Sequence, residues 1–232
     1  MSYTRRDLTI VPLDGENCLV IACDSCGDVG LKTADVLKLS PHIAAKFAAR
    51  VALTEVLCAG AKPIVITNGV ANEMQPTAEA TIRGIREELA AAGLSITITG
   101  STEENFATTM TAIATTVIGI CKRDELRFAM PQSGDKLYLL GTPKVGTEVD
   151  IHSPGFYSEI SDLLSTPDIK EIVPVGSKGI EYEANVLCGE NAKLFETGIC
   201  YKKSAGPATC LLVLADENAM VRSDLIHIGN IK

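Results

Sequence analysis

The sequence predicts an α+β fold arranged as two units. Strand-like and helix-like segments mix without strict alternation, reading ββαβαββ and then βαβαββ, which favours α+β over a doubly wound sheet. The pattern breaks at Cys121 to Gly134, where charges, Pro131 and Gly134 cluster. The length of 232 residues lies between one large domain and two small ones. Units over residues 1–125 and 132–232 follow.

Two strands open the chain, Asp7 to Val11 and Asn17 to Asp24, around the turn Leu13-Asp14-Gly15-Glu16, because Asp-Gly is a strong hairpin signal. Ser40 caps a long helix and Pro41 suits its first position. Ile43, Phe47, Val51 and Cys58 keep the 3.6-residue period until Gly60 and Pro63 end it. A short buried strand, Ile64 to Thr67, precedes a polar helix from Pro76 to Ala92 whose stripe is Ala80, Ile82, Ile85 and Leu89. Gly93 stops that helix. Ser95 to Thr99 forms a strand ending at Gly100-Ser101-Thr102, and Ala107 to Ile120 reads as one long strand of Thr, Ala, Ile, Val and Met.

In the second unit Lys136 to Leu140 is a strand, Pro154 to Leu164 a helix, Ile169 to Val175 extended, and Ile180 to Phe195 a helix. Cys210 to Ala215 and Leu225 to Ile228 close the chain as strands.

Composition narrows the function classes. Hydrophobic residues make up 46% and charged residues 22%, ordinary values that exclude wholesale disorder. Aromatics stand at 4% with no Trp, and the formal net charge is −8, which argues against nucleic-acid binding. Met1 to Asp7 has no apolar run behind its arginines, and no apolar run approaches the ~20 residues of a membrane span. The eight cysteines lie mostly in apolar stretches and read as reduced, buried and cytoplasmic.

Ala22-Cys23-Asp24-Ser25-Cys26-Gly27-Asp28-Val29-Gly30-Leu31-Lys32 is the most informative stretch. A strand delivers Asp24 at its carboxyl end, and Gly27 and Gly30 let the backbone turn tightly. Asp24 and Asp28 are hard oxygen ligands suited to Mg²⁺, and Lys32 suits a phosphate; an ordinary strand-to-loop turn is the bland alternative. Cys23-x-x-Cys26 lacks the second pair that a zinc site needs. Arg50, Thr54 and Glu55 read as a solvated helix face, or Glu55 points into a site near the helix exit. Gly100-Ser101-Thr102-Glu103-Glu104 supplies hydroxyls and carboxylates after a strand, or is a simple turn. Gly176-Ser177-Lys178-Gly179 is a basic turn before a helix, the geometry that binds anions, without Walker A spacing.

The order of these motifs resembles the aminoimidazole ribonucleotide synthetase-like superfamily, over nearly the whole chain. Asp7 matches its first-strand acid and Asp24 its second. Thr54-Glu55-Val56-Leu57-Cys58-Ala59-Gly60-Ala61-Lys62-Pro63 matches its helix exit, Thr99-Gly100-Ser101-Thr102 its Gly-Gly-acid-Thr loop, and His227-Ile228-Gly229-Asn230-Ile231 its closing strand. The resemblance implies ATP and Mg²⁺, an N-terminal ferredoxin-like or half-barrel domain that dimerises through its sheet, and a smaller C-terminal α+β domain.

The chain departs from that pattern. Ser101 replaces the loop acid, Lys178 replaces a carboxylate in an Asp-rich turn, and Ala52 stands for a helix Asn. A compact chain with Lys178 there looks most like the α-ribazole kinase branch of cobalamin lower-ligand salvage. On that likeness the expectation is γ-phosphoryl transfer from ATP to a nucleoside hydroxyl. Asp7, Asp24, Asp28 and Glu55 would serve Mg²⁺, and Lys32 and Lys178 the phosphates. Gly27, Gly30, Gly100, Ser101 and Thr102 would line the nucleotide, and Asp24, Lys32 and Glu104 would serve the reaction. A thiamine-monophosphate kinase-like enzyme and a non-catalytic nucleotide-binding regulator are the rival readings. A homodimer is expected, with no nucleic-acid or membrane partner.

Overall fold

A short hairpin opens the structure, a computed structural model that describes residues 1–232. β1 (Tyr3–Arg5) turns through Arg6 and Asp7 into β2 (Leu8–Pro12). Asp14 then fixes the turn into β3 (Asn17–Gly27), its carboxylate accepting from the backbone N–H groups of Glu16 at 2.8 Å and Asn17 at 2.6 Å. β4 (Val29–Gly30) and β5 (Leu37–Lys38) form a small parallel pair. α1 (Pro41–Cys58) begins where the sequence indicates, with the Ser40 hydroxyl accepting from the His42 N–H at 3.3 Å. It ends at Gly60, whose φ of +82° favours a residue without Cβ.

β6 (Lys62–Val70) is longer than the sequence suggests. A helical turn, Met74–Ala78, interrupted by the extended Gln75, runs directly into α2 (Glu79–Ala91). β7 (Thr97–Thr102) and β8 (Ala112–Lys122) complete the first unit. The strand expected from Ala107 begins five residues later. The Met110 carbonyl and the Thr111 N–H are taken by Asn72 and Asp35 instead of a strand ladder.

The six strands pair in the order β1-β2-β3-β8-β6-β7, with only β6 and β7 parallel. One face is buried: Leu8, Ile10, Val20, Ala22, Ile66, Val70, Ile113 and Val117. The helices pack there at close range. A Cβ on Gly119 of β8 would stand 2.5 Å from Val56 of α1, and one on Gly84 of α2 would stand 2.0 Å from the His42 carbonyl oxygen at the start of α1. The other face leaves Val11, Leu19, Ile21, Val65, Ile118 and Ile120 half-buried. Arg50, Thr54 and Glu55 are buried, not a solvated face. Arg50 reaches Glu88 of α2, and Lys46 and His42 reach Glu87 at 2.6 and 2.8 Å.

The second unit contains β9 (Lys136–Gly141), α3 (Tyr157–Ser165), β10 (Ile169–Pro174), α4 (Gly179–Cys188), β11 (Ala192–Leu194), β12 (Cys210–Ala215) and β13 (Ile226–Ile231). Its sheet is antiparallel, in the order β10-β12-β9-β13-β11. Leu137, Leu139, Leu212 and Leu214 of the sheet pack with Ile180, Ala184 and Leu187 of α4. The helix expected through Phe195 stops at Gly189, which takes φ +61°, and β11 then pairs with β13. α3 starts three residues after Pro154. By contacts the chain divides into Met1–Leu57 with Ala61–Asp124, and Cys58–Gly60 with Glu125–Lys232. No helix is long and apolar enough to cross a membrane.

Candidate functional site at the carboxyl ends of β3, β6 and β7

β3, β6 and β7 run in one direction, since β3 and β6 are both antiparallel to β8 and β6 is parallel to β7. Their carboxyl ends therefore gather at one edge of the first unit. A groove of about 550 Å³ opens there between Ser25–Gly27, Gly69–Ala71, Ser101–Glu103 and Ala112–Ala114. Of the residues singled out in the sequence, it brings together Cys26, Gly27, Ser101, Thr102 and Glu103. Its lining combines the apolar side chains of Val70 and Ile113 with hydroxyls and a thiol, and has Glu103 as the one charged side chain and no cation.

β3 runs on to Gly27, so Asp24 lies three residues inside the strand and not at its end. Side chains alternate along a strand. Asp24 and Cys26 thus share the helix-covered face with Ala22, whereas Cys23 and Ser25 share the opposite one. This alternation holds Cys23 and Cys26 on opposite sides, and all eight cysteines are free thiols. Five cysteines are buried as expected, whereas Cys23 and Cys200 are exposed and Cys26 is half-buried. Burial pushes the Asp24 carboxyl up to about 6, against the pull of the Ser25 N–H, and the neighbouring Asp7 charge adds to the rise. The Cys26 thiol is pushed up to about 11, by burial and then by the charges of Asp24 and Asp35.

The turn after β3 is made by Asp28 with φ +60°, not by glycine. Gly30 has a packing role: a Cβ there would meet the Thr111 hydroxyl at 1.9 Å and the Asp35 carboxylate at 2.4 Å. Gly100 has one too, since its Cβ would meet the Asn68 carbonyl oxygen at 2.0 Å. It lies within β7, as do Ser101 and Thr102, so this segment is strand and not the loop after one.

Asp35 fastens the loop from residue 28 to 38. Its carboxylate accepts from the Thr111 N–H at 2.6 Å, the Thr111 hydroxyl at 2.8 Å and the Lys32 N–H at 2.8 Å. Burial alone would raise its carboxyl, but these bonds hold it below the usual range. The Lys32 ammonium donates to Glu73 at 2.7 Å, and the Thr77 hydroxyl donates to the other Glu73 oxygen at 2.5 Å. Glu104 accepts from the Met74 N–H at 2.8 Å and the Thr102 hydroxyl at 2.9 Å. Asn72, fully buried, ties the turn after β6 to Thr108, Met110 and Ala112. Asp35, Asn72 and Glu73 carry no spacing signal in the sequence; beside the local bonds to Lys32 and Thr77, each has a partner 36 to 76 residues away.

Not all the expected ligands converge. Glu55 is buried with its carboxylate 3.9 Å from the Arg6 guanidinium. Lys178 belongs to the second unit, where its ammonium donates to the Tyr182 hydroxyl at 3.1 Å and lies 4.2 Å from that ring's centre. No three His, Cys, Asp or Glu side chains gather closely enough to hold a metal ion by themselves. Asp7 and Asp24 nevertheless fit Mg²⁺ as a pair: both are hard oxygen donors, and each carries a charge that opposes the other. Mg²⁺ is commonly held by one or two carboxylates together with substrate phosphates. Glu55, already committed to Arg6, does not fit.

Comparison with known proteins gives a consistent fold. The family described as AIR synthase related protein, N-terminal domain, matches residues 5–121. No curated protein matches the sequence. Among solved structures, the chain is similar to thiamine monophosphate kinase from Aquifex aeolicus, at 12% identity and a TM-score of 0.69, covering 97% of this chain and 88% of that one. It is similar to HypE, a hydrogenase maturation protein of E. coli, at 16% and 0.68, covering 92% and 79%. T. maritima PurL complexed with ADP superposes at 13% identity and 0.69 over 93% of this chain, which spans only 38% of PurL.

Proposed function

The chain belongs to the AIR synthase related protein family through its N-terminal domain, and on that premise we propose that it is an ATP-dependent small-molecule kinase. The observation that carries this reading is the groove at the carboxyl ends of three strands that run the same way, with Asp24 on β3 directly before the lining residues Ser25 to Gly27. Similar folds have been seen with ADP in PurL, and with AMPPCP and TMP in an Aquifex thiamine monophosphate kinase. The acceptor is a nucleoside hydroxyl, following the likeness to α-ribazole kinase.

Asp7 and Asp24 would hold Mg²⁺, which would neutralise triphosphate charge when bound. The hydroxyls of Ser101 and Thr102 line the groove and position the nucleotide, and the bound Mg²⁺ would offset the negative charge that Glu103 adds there. Lys32 reaches a phosphate by exchanging its bond to Glu73. Asp28 sits on the turn beside it. The acceptor oxygen attacks the γ-phosphorus, the bond from that phosphorus to the bridging oxygen breaks, and ADP leaves. The hydroxyl proton passes to Glu104 Oε2, since Oε1 is already held by Met74 and Thr102. Residues 1–125 form the nucleotide-binding and dimerisation domain in this reading, and residues 132–232 a separate α+β domain. The half-buried apolar face of the first sheet supports the homodimer.

The test is ADP release with Mg·ATP and either α-ribazole or thiamine monophosphate. Turnover with α-ribazole that disappears in Asp24→Asn, with an unchanged circular dichroism spectrum, is the expected result. Near-normal turnover in that variant overturns the assignment. Coverage of 84% of the AMPPCP- and TMP-bound kinase favours thiamine monophosphate as the second acceptor to try.

A further inference from the structure

A row of polar side chains crosses the sheet behind Asp24. The register sets Asp24 of β3 opposite Thr115 of β8, and Thr115 opposite Asn68 of β6. Directly opposed residues share a face, with Cβ atoms about 5 Å apart. Thr115 is 0% exposed and Asn68 is 3% exposed. The orientation of the Asn68 amide is determined by its neighbour. The Thr81 hydroxyl donates to the Ala78 carbonyl at 2.7 Å, so it accepts from Asn68 Nδ2 at 2.9 Å, which leaves Asn68 Oδ1 an acceptor. Neither Asn68 Oδ1 nor Thr115 Oγ1 has a hydrogen-bond partner.

Buried polar atoms are nearly always paired, and one left alone needs a reason. Val would fill the site of Thr115 with the same branching and no buried hydroxyl. Two acceptors stand in the row of Thr115, the Asn68 amide oxygen and the Asp24 carboxylate, and neither is within hydrogen-bond distance of its hydroxyl. An ionised oxygen accepts more strongly than a neutral one. We propose that Thr115 is a positioning residue for Asp24, its hydroxyl donating to the ionised carboxylate and fixing its orientation toward a bound divalent cation. This rests on the reading of Asp24 as a Mg²⁺ ligand.

The test titrates Mn²⁺ into the full chain with a non-hydrolysable ATP analogue present, following free Mn²⁺ by electron paramagnetic resonance. Outer groups that orient a ligand typically contribute 10–100-fold to metal affinity. Thr115→Val is expected to weaken Mn²⁺ binding about 10-fold with an unchanged or raised melting temperature, and Thr115→Ser to restore it. If Thr115→Val melts early, Thr115→Ser against Thr115→Ala makes the same comparison. Thr115→Val binding like the unaltered chain while Asp24→Asn loses Mn²⁺ overturns the positioning role and leaves the metal reading standing. If Asp24→Asn also binds normally, the metal reading fails and this inference fails with it.

Discussion

The Arg50 guanidinium grips the Glu88 carboxylate through two bonds, Nε to Oε1 at 2.7 Å and Nη2 to Oε2 at 3.0 Å, with both groups buried between α1 and α2. Breaking a buried pair from one side leaves the other charge uncompensated, a loss of about 3–5 kcal/mol. Glu88→Gln should therefore lower the midpoint of urea unfolding sharply. Replacing both residues by Met should recover much of the loss, because then no charge is left buried. A Glu88→Gln midpoint equal to that of the unaltered chain would contradict this account.

Lys32 and Glu73 make a second kind of pair. Their side chains are 19% and 32% exposed, so the bond is partly screened and exchangeable. If Lys32 serves a phosphate, Glu73 competes with it. Glu73→Gln should tighten ATP binding by calorimetry, by roughly 2–10-fold on a gain of about 0.5–1.4 kcal/mol, and Lys32→Ala should weaken it. Weaker binding in Glu73→Gln would mean that Glu73 holds the loop in place for the nucleotide.

Asp24 gives a pH dependence. Its carboxyl rises from 3.8 to about 6 in the folded chain, so folding favours the protonated form. That contribution is full below the unfolded value and is lost as pH climbs through 6. In metal-free buffer, Asp24→Asn should melt above the unaltered chain at pH 7.5, by about 1–3 kcal/mol, and the advantage should shrink toward pH 4. A gap independent of pH would show that the carboxyl is not shifted.

Gly84 sets two effects against each other. Ala in a helix interior is favoured over Gly by about 1 kcal/mol. Here a Cβ would stand 2.0 Å from the backbone oxygen of His42, which no side-chain rotation relieves. Overpacking of this kind costs about 1–3 kcal/mol, so Gly84→Ala should lower the melting temperature. A rise would mean that α1 and α2 separate easily.

Where one residue's chemistry decides a boundary, the sequence is legible. Ser40 and Pro41 start α1, Gly60 ends it, and the Asp14 turn joins β2 to β3, each through groups a few residues apart. Where partners are distant, it is not. Ala107 to Thr111 has strand composition, yet Asp35 and Asn72 claim its backbone from 76 and 38 residues away. Ala192 to Leu194 keeps a helical period and still pairs as a strand, because β13 supplies its hydrogen bonds.

The same division runs through the site. The order of Asp7, Asp24, Glu55 and the Gly100 segment along the chain is determined by sequence alone, as is the family those residues point to. Their grouping is not. Glu55 turns to Arg6, Lys32 to Glu73 and Arg50 to Glu88, while strand register sets Asp24 in a row with Thr115 and Asn68. Local periodicity and capping are properties of adjacent residues, whereas the partner of a buried charge is selected by which strands and helices meet.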